Sequence, residues 1–202
     1  MVELKNSVQI QAMKDAGRIT GEALLAARDA VREGISTYEL DRVIHRYIVK
    51  CGATPSFLGY SGFPGSACIS INDEVIHGIP SKKRILMNGD IVKIDVGAFY
   101  HGYHGDSART VPVGEVSEEA LKLIRVTRDS FFAGLANLEA GKRLGDIGSA
   151  IDGLVTANGF STVKRYVGHG VGTELHEDPD VPNYGTPGRG LRLSTGMTLA
   201  IE

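Results

Sequence analysis

A repeat with a period of 107 residues limits the folds that are open to this chain. The segment LMNGDIVKID at positions 86–95 returns as LSTGMTLAIE at positions 193–202, and each copy ends in an acidic residue. The same spacing relates two further segments, 34–52 and 141–159, in which glycines and aliphatic residues coincide. Internal similarity at a fixed period is typical of two structurally similar parts. We therefore expect two similar halves, each placing a carboxylate at the same position.

The pattern of apolar residues predicts two helices at the start of each half. In the first half, a long helix covers positions 7–31, and a second helix begins with a capping box of Ser36 and Glu39 and stops at Gly52. In the second half, a helix begins after a Ser117 cap and another covers positions 144–158.

Short alternating segments at positions 67–70, 91–99 and 105–113 predict strands that follow the helices. Helices followed by strands indicate the α+β class, with helix pairs covering an antiparallel β-sheet in a pseudo-two-fold repeat. We predict a single domain over residues 1–202, made of halves at about 1–113 and 114–202.

Composition excludes several classes of protein. The net charge is −2 with acids and bases intermixed, so neither nucleic acid nor an anionic membrane surface is an expected partner. No apolar stretch reaches the roughly 18 residues of a membrane span. Cys51 and Cys68 have no metal-binding spacing and are typical of free thiols in a reducing compartment. The expected location is the cytoplasm.

Two acids near the middle of the chain predict a charged site within an apolar sheet. Asp95 lies among isoleucines and valines, and Asp106 follows eleven residues later. A hairpin centred near Tyr100 and His101 would place the two acids directly opposite each other. Carboxylates so close would need a shared proton or a cation between them. In the alternative reading, one acid is buried and the other caps a turn.

Two histidines in the second half complete a possible ligand set. His169 lies between glycines, and His176 follows shortly after. The repeat places Glu202 at the position that corresponds to Asp95. Three carboxylates and one imidazole suit Mn(II), Fe(II), Co(II) or Zn(II), and no Cys₂His₂ or HExxH pattern competes. The expected metal ligands are Asp95, Asp106, His169 and Glu202.

Six segments together resemble the type I methionine aminopeptidases, metallopeptidases with the pita-bread fold. They are SACISINDEVIHGIP at 66–80, KIDVG at 93–97, HGDSART at 104–110, GHGVG at 168–172, HEDP at 176–179 and GMTLAIE at 196–202. The resemblance covers the whole chain in order. It implies that the four residues named above bind two metal ions, and that His77 and His176 contact the substrate as catalytic residues.

The resemblance also implies a pocket for a methionine side chain. Tyr60, Phe63 and Cys68 match positions that line this pocket, whereas Phe57 and Leu175 differ from the residues of some members. For Tyr60, Phe63 and Cys68, core packing is an equally good explanation from sequence alone. His77 on its own is typical of a histidine that fixes a turn.

The implied function is removal of the initiator methionine from nascent proteins whose second residue is small. The cofactors would be two divalent ions, and the partners nascent peptide N-termini, either free or at the ribosome, with the chain as a monomer. One alternative is an Xaa-Pro aminopeptidase or prolidase of the same fold, and another is a non-catalytic peptide-binding remnant. The family has a further glutamate at the position equivalent to 213. The second half is therefore expected to be truncated and the chain weakly active.

Overall fold

The computed structural model describes residues 1–202, which form two compact units. The hairpin unit comprises residues 11–120 and 173–175, and the histidine unit comprises residues 1–10, 121–172 and 176–202. The predicted single domain with halves at about 1–113 and 114–202 stays a prediction. No helix is both long enough and apolar enough to span a membrane.

The hairpin unit is built on a four-stranded antiparallel sheet. Its elements are α1 (Ser7–Ala30, which begins in the histidine unit), α2 (Thr37–Lys50), β1 (Thr54–Pro55), β2 (Ala67–Ile71), β3 (Ile91–Tyr100) and β4 (Tyr103–Pro112). Strand β3 pairs with β1 and β2 along one edge and with β4 along the other. From Ile91 to Val96, half-buried and buried residues alternate along β3.

One face of this sheet carries the main hydrophobic core. Val92, Ile94 and Val96 of β3 are fully buried against aliphatic residues of α1 and α2. Burial of each such side chain contributes about 1.5–3 kcal/mol. Asp95 lies on the opposite face, because successive side chains of a strand alternate. The core therefore determines which face presents the acid.

The histidine unit contains two helices and a three-stranded antiparallel sheet. Its elements are α3 (Glu118–Leu135, whose first turn lies in the hairpin unit), α4 (Leu144–Ala157), β5 (Gly168–Gly170), β6 (Glu177–Val181) and β7 (Leu199–Ala200). Strand β5 is central, with β6 and β7 on its two sides. A smaller core that includes Ile147, Ile151 and Val181 supports the unit.

The repeat seen in the sequence is present in the backbone of both units. The N–H of Gly34 donates to the carbonyl of Leu86 at 2.8 Å, and the N–H of Gly141 donates to the carbonyl of Leu193 at 3.0 Å. Both glycines have positive φ, which residues with a side chain rarely adopt. Isolated β-bridges follow at equivalent positions, Ser36 with Ile85 and Arg143 with Arg192.

The predicted helix starts are confirmed, with one chemical difference between the copies. In α2, Ser36 and Glu39 form the reciprocal capping box. In α4, Asp146 accepts from the backbone N–H of Arg143 at 2.8 Å and from that of Gly188 at 2.6 Å. Arginine has no acceptor to complete a capping box. The loop that contains Gly188 therefore takes part in defining this helix start.

Candidate functional site

The register of the β3–β4 hairpin differs from the one predicted. Asp95 lies opposite Ala108, and Asp106 lies opposite Gly97, so the predicted direct pairing of Asp95 with Asp106 is wrong. His101 and Gly102 both have positive φ, at 50° and 87°, and form a two-residue turn. Such turns fit the right-handed twist of paired strands. The turn centre is therefore one residue later than expected.

The two acids nevertheless lie on the same face of the hairpin. Each is two residues from the cross-strand partner of the other, which makes them diagonal neighbours. Diagonal positions of an antiparallel pair are roughly 7–8 Å apart. This spacing keeps the two carboxylates apart on one face of the hairpin. The arrangement suits two acids that share a bound ion better than two that share one proton.

A small apolar cluster lies on the same sheet face as Asp95. Cys68 of β2 is the direct cross-strand partner of Asp95. Cys68 is buried together with Phe57 and Leu175, and Phe63 packs against them at the margin. A Cβ placed on Gly97 would lie 2.7 Å from Cε1 of Phe57, so the phenyl ring occupies the space over Gly97. An apolar surface thus adjoins the acid.

The predicted pocket residues divide between this cluster and the surface. Phe63 and Cys68 are members, whereas the residue Tyr60 is 44% exposed and lies outside the cluster. The carbonyl of Tyr60 accepts from the N–H of Phe63 at 2.9 Å, within the 3-10 turn Tyr60–Gly62. Phe57 and Leu175 differ from the residues of some members of the family that the sequence resembles. Both are buried beside Cys68 as members of the apolar cluster.

His77 lies on a tightly held loop next to β2. It is exposed and has a φ of 60°, which is uncommon for a residue with a side chain. The following Gly78 donates from its N–H to the Ser70 hydroxyl at 3.0 Å and accepts from the N–H of Ile69 at 2.9 Å. The backbone around Gly78 has no room for a Cβ beside Ile69. The imidazole of His77 is therefore presented from a backbone of fixed position.

Lys93 contributes a partly desolvated charge on the face of Asp95. Burial lowers the pKa of the Lys93 ammonium, an effect opposed by the nearby carboxylates of Glu74 and Asp73. Its Nζ donates to the carbonyl of Asn72. Lys93 is thus held at the turn after β2, where it links β3 to the loop that leads to His77.

In the histidine unit, His169 and Glu202 form a close pair. His169 is buried on the central strand, and its Nδ1 lies 2.7 Å from the carbonyl oxygen of Gly170. Its Nε2 lies 3.0 Å from Oε1 of Glu202. Because a carbonyl only accepts, Nδ1 carries a proton and Nε2 faces the carboxylate. The pair is then held together either by a second proton on Nε2 or by a cation.

His176 lies beside His169 in the same unit. The centroids of the two imidazole rings are 4.2 Å apart, with an angle of 44° between the ring planes. His176 is exposed, whereas His169 is buried. A buried imidazole that faces a carboxylate, next to an exposed imidazole, is suited to binding an ion and a polar ligand together.

The chain matches one protein family over most of its length. Residues 11–202 match the model of metallopeptidase family M24. The methionine aminopeptidase of Clostridium acetobutylicum is 54% identical over 202 residues, which are all of this chain and 81% of that protein. Methionine aminopeptidase 1 of Bacillus subtilis is 49% identical, with the same coverage of both proteins. The resemblance found in the sequence is confirmed.

Solved structures agree with this result. A methionine aminopeptidase from Thermotoga maritima superposes with a TM-score of 0.98 at 43% identity, covering all of this chain and 81% of that one. Prolidase from Pyrococcus furiosus superposes with a TM-score of 0.85 at 25% identity, covering 98% of this chain and 56% of that one. The predicted α+β class with the pita-bread fold is confirmed.

Proposed function

Because the chain belongs to metallopeptidase family M24, we propose that it removes N-terminal methionine from peptides and proteins whose second residue is small. The observation that carries this proposal is the pairing of Cys68 with Asp95. This pairing puts an apolar cluster beside Asp95, one of the proposed metal ligands. The cluster consists of Phe57, Phe63, Cys68 and Leu175. A methionine side chain is apolar, flexible and contains a soft sulfur, and such a cluster suits it.

Members of this family depend on divalent metal ions, and the residues of this chain fit such ions. We propose Asp95, Asp106, His169 and Glu202 as ligands of two ions, chosen from Co(II), Mn(II), Fe(II) or Zn(II). The donor chemistry supports this assignment, since carboxylate oxygens and one imidazole nitrogen are the ligands that these metals accept. The pair of His169 Nε2 and Glu202 Oε1, 3.0 Å apart, and the two acids on one hairpin face are consistent with it.

When bound, such ions supply a water molecule that is ionised near neutral pH and polarise the peptide carbonyl. The protein residues have separate tasks. The apolar cluster holds the methionine side chain, so that the first peptide bond lies beside the acids. His77 or His176 donates a hydrogen bond to the carbonyl oxygen as it becomes negative, or holds the peptide nitrogen. Hydrolysis then releases free methionine and a peptide with a new amino terminus.

Location and partners are proposed from this activity. The partners are nascent peptide N-termini in the cytoplasm, encountered either free or at the ribosome, and the chain acts as a monomer. The number of divalent ions bound per chain and the mass of the protein in solution test this stoichiometry. We expect two ions and the mass of a monomer.

Three peptides test the proposed specificity. Purified protein supplied with Mn(II) or Co(II) should release methionine from Met-Ala-Ser at least about tenfold faster than from Met-Trp-Ser, and should leave Ala-Pro-Ser intact. Equal turnover of the first two would contradict the requirement for a small second residue. Cleavage of Ala-Pro-Ser alone would favour an Xaa-Pro peptidase. Metal binding without cleavage of any peptide would favour a peptide-binding protein.

A further inference from the structure

The histidine unit contains a buried ion pair that the proposed chemistry does not use. Nζ of Lys5 bonds to Oε2 of Glu177, and the two side chains are only 2% and 11% exposed. Removing two charges from water carries a large desolvation penalty, so a buried pair is a poor device for stability alone. The place of Lys5 and Glu177 in the fold therefore has to explain why the pair is buried.

Glu177 lies next to both histidines of the unit. It is the first residue of β6 and directly follows His176 in the chain. Its cross-strand partner in β5 is Gly170, which directly follows His169. Glu177 and Gly170 thus form a cross-strand pair, and each directly follows one of the two histidines in the chain. Lys5 holds the carboxylate of this pair. The centroids of the two imidazole rings lie 4.2 Å apart.

The backbone of Lys5 holds the other side of the same sheet. Its N–H donates to the carbonyl of Gly196 at 2.8 Å, in the turn that precedes β7. Strand β7 places Ala200 opposite His169, and Glu202 follows two residues later. Lys5 is thus bonded to the segments that lead into both neighbours of the strand that carries His169.

Gly172 shows how closely the ion pair fits. A Cβ built on Gly172 would lie 2.6 Å from Cε and 2.7 Å from Nζ of Lys5, and would also overlap the Glu177 carboxylate. These distances are shorter than van der Waals contact. The side chains of the pair therefore fill the space over Gly172, in the loop that leaves β5. This contact gives a means of displacing the pair without removing its charges.

We propose that Lys5 is a positioning residue, whose buried bond to Glu177 and backbone bond to Gly196 set the orientation of His169 and His176. Lys5 does not touch the substrate. It acts by fixing the start of β6 and the turn before β7, so that the imidazoles keep one arrangement. The kinetic part of this proposal rests on the proposed peptidase function, whereas its structural part does not.

The first test replaces the charge of Lys5 and observes the histidines directly. In Lys5→Met, we expect the ¹⁵N and ¹H resonances of the His169 and His176 rings to shift, in protein that circular dichroism shows to be folded. In Lys5→Arg, which keeps a cation, these resonances should return most of the way to their positions in the parent protein. Lys14→Met removes an exposed lysine of α1 and is the matched control, with unchanged resonances. Unchanged ring resonances in Lys5→Met would overturn the proposal.

The second test uses Gly172→Ala, which pushes the pair apart while both charges remain. The same two ring resonances should shift, and this variant decides the matter if Lys5→Met does not fold. With Met-Ala-Ser as substrate, Lys5→Met should lower kcat at least tenfold and leave KM within threefold. Shifted rings together with an unchanged kcat would overturn the catalytic part. An inactive parent protein whose rings shift in the variants would count against the proposed function only.

Discussion

Cys68 lies directly across the β2–β3 pairing from Asp95, so a buried thiol is the neighbour of a carboxylate that is a proposed metal ligand. Cross-strand partners have Cβ atoms about 4.5–5.5 Å apart. The side chain proposed to contact a bound methionine and the acid proposed to bind an ion are therefore separated by a single strand spacing. A change at Cys68 should alter substrate binding before it alters the fold.

Cys68→Ala should raise KM for Met-Ala-Ser by roughly fourfold. The substitution removes one buried heavy atom from the pocket wall, a loss of about 0.8 kcal/mol of apolar contact. Steady-state kinetics give the value. Cys51→Ala is the matched control, because Cys51 packs against the main core and not against the pocket cluster. Equal effects of the two substitutions on KM would show that the cluster does not bind substrate.

Asp95→Asn should lower the affinity for divalent metal at least about tenfold, or 1.4 kcal/mol. The amide keeps the shape of the side chain but lacks the negative charge. Titration calorimetry with Mn(II) measures the affinity, and circular dichroism checks that the fold is retained. Asp129→Asn changes a half-exposed acid of α3 that pairs with Arg128, and should leave metal affinity unaltered. Unaltered affinity in Asp95→Asn would remove Asp95 from the ligand set.

Gly105→Ala should lower the free energy of unfolding by about 1–3 kcal/mol. A Cβ at this position of β4 would lie 2.7 Å from the Gly17 nitrogen and 2.8 Å from the Ala16 carbonyl carbon, so the strand and α1 would have to separate. Gly21→Ala, on the same helix with nothing within 4 Å, should instead raise the free energy by about 0.5–1 kcal/mol. Urea unfolding distinguishes the two signs.

The two helix-capping acids should make stability fall at acidic pH. The Ser36 hydroxyl lowers the pKa of Glu39 below its ordinary 4.5, and the backbone N–H of Gly188 lowers the pKa of Asp146 below its ordinary 3.8. The unfolded chain then binds more protons than the folded chain in this range. The stabilisation is complete above the ordinary pKa values and is lost as pH falls through the folded ones.

Urea unfolding from pH 7 to pH 3 measures this dependence. Glu39→Gln and Asp146→Asn should each make the loss of stability with falling pH less steep. Glu119→Gln, an exposed acid in the first turn of α3, serves as a comparison for the general effect of removing one charge. Curves for Asp146→Asn that run parallel to those of the parent would mean that its hydrogen bonds to Arg143 and Gly188 are equally strong in both protonation states.

The sequence was sufficient to predict the four helices and strands β2 to β4, because their signals are local. The capping box at Ser36, the apolar periodicity of α1 and the glycines of the repeat act within a few residues, and all lie where expected. The predicted register of the hairpin was wrong, because the register depends on which residues of the turn take positive φ. Either Gly102 alone does so, or His101 does so as well, as in this structure. Many residues that precede a glycine can take either sign of φ, so the local sequence does not settle the turn. The pairing along the whole of β3 settles it.

The members of the apolar cluster beside Asp95 were predicted only in part, for a related reason. Phe57 and Leu175 come from loops far apart in the chain, and no periodic pattern relates them to Cys68. Tyr60 carries the same apolar character in sequence but lies at the surface. The Lys5–Glu177 pair was also missed, because a lone lysine and a lone glutamate so distant in sequence show no sign of burial. A glycine at position 172 was the only local signal.

The matching bridges of Ser36 with Ile85 and Arg143 with Arg192 have a consequence for how the chain folds. Each bridge joins residues about 50 positions apart, so each requires a loop of the same length to close, at the same entropic cost. Neither copy gains a kinetic advantage from loop length. Which one forms first must then depend on local helix stability, and the reciprocal cap of α2 favours the copy nearer the N-terminus. Amide exchange measured during refolding should therefore show Leu86 protected before Leu193.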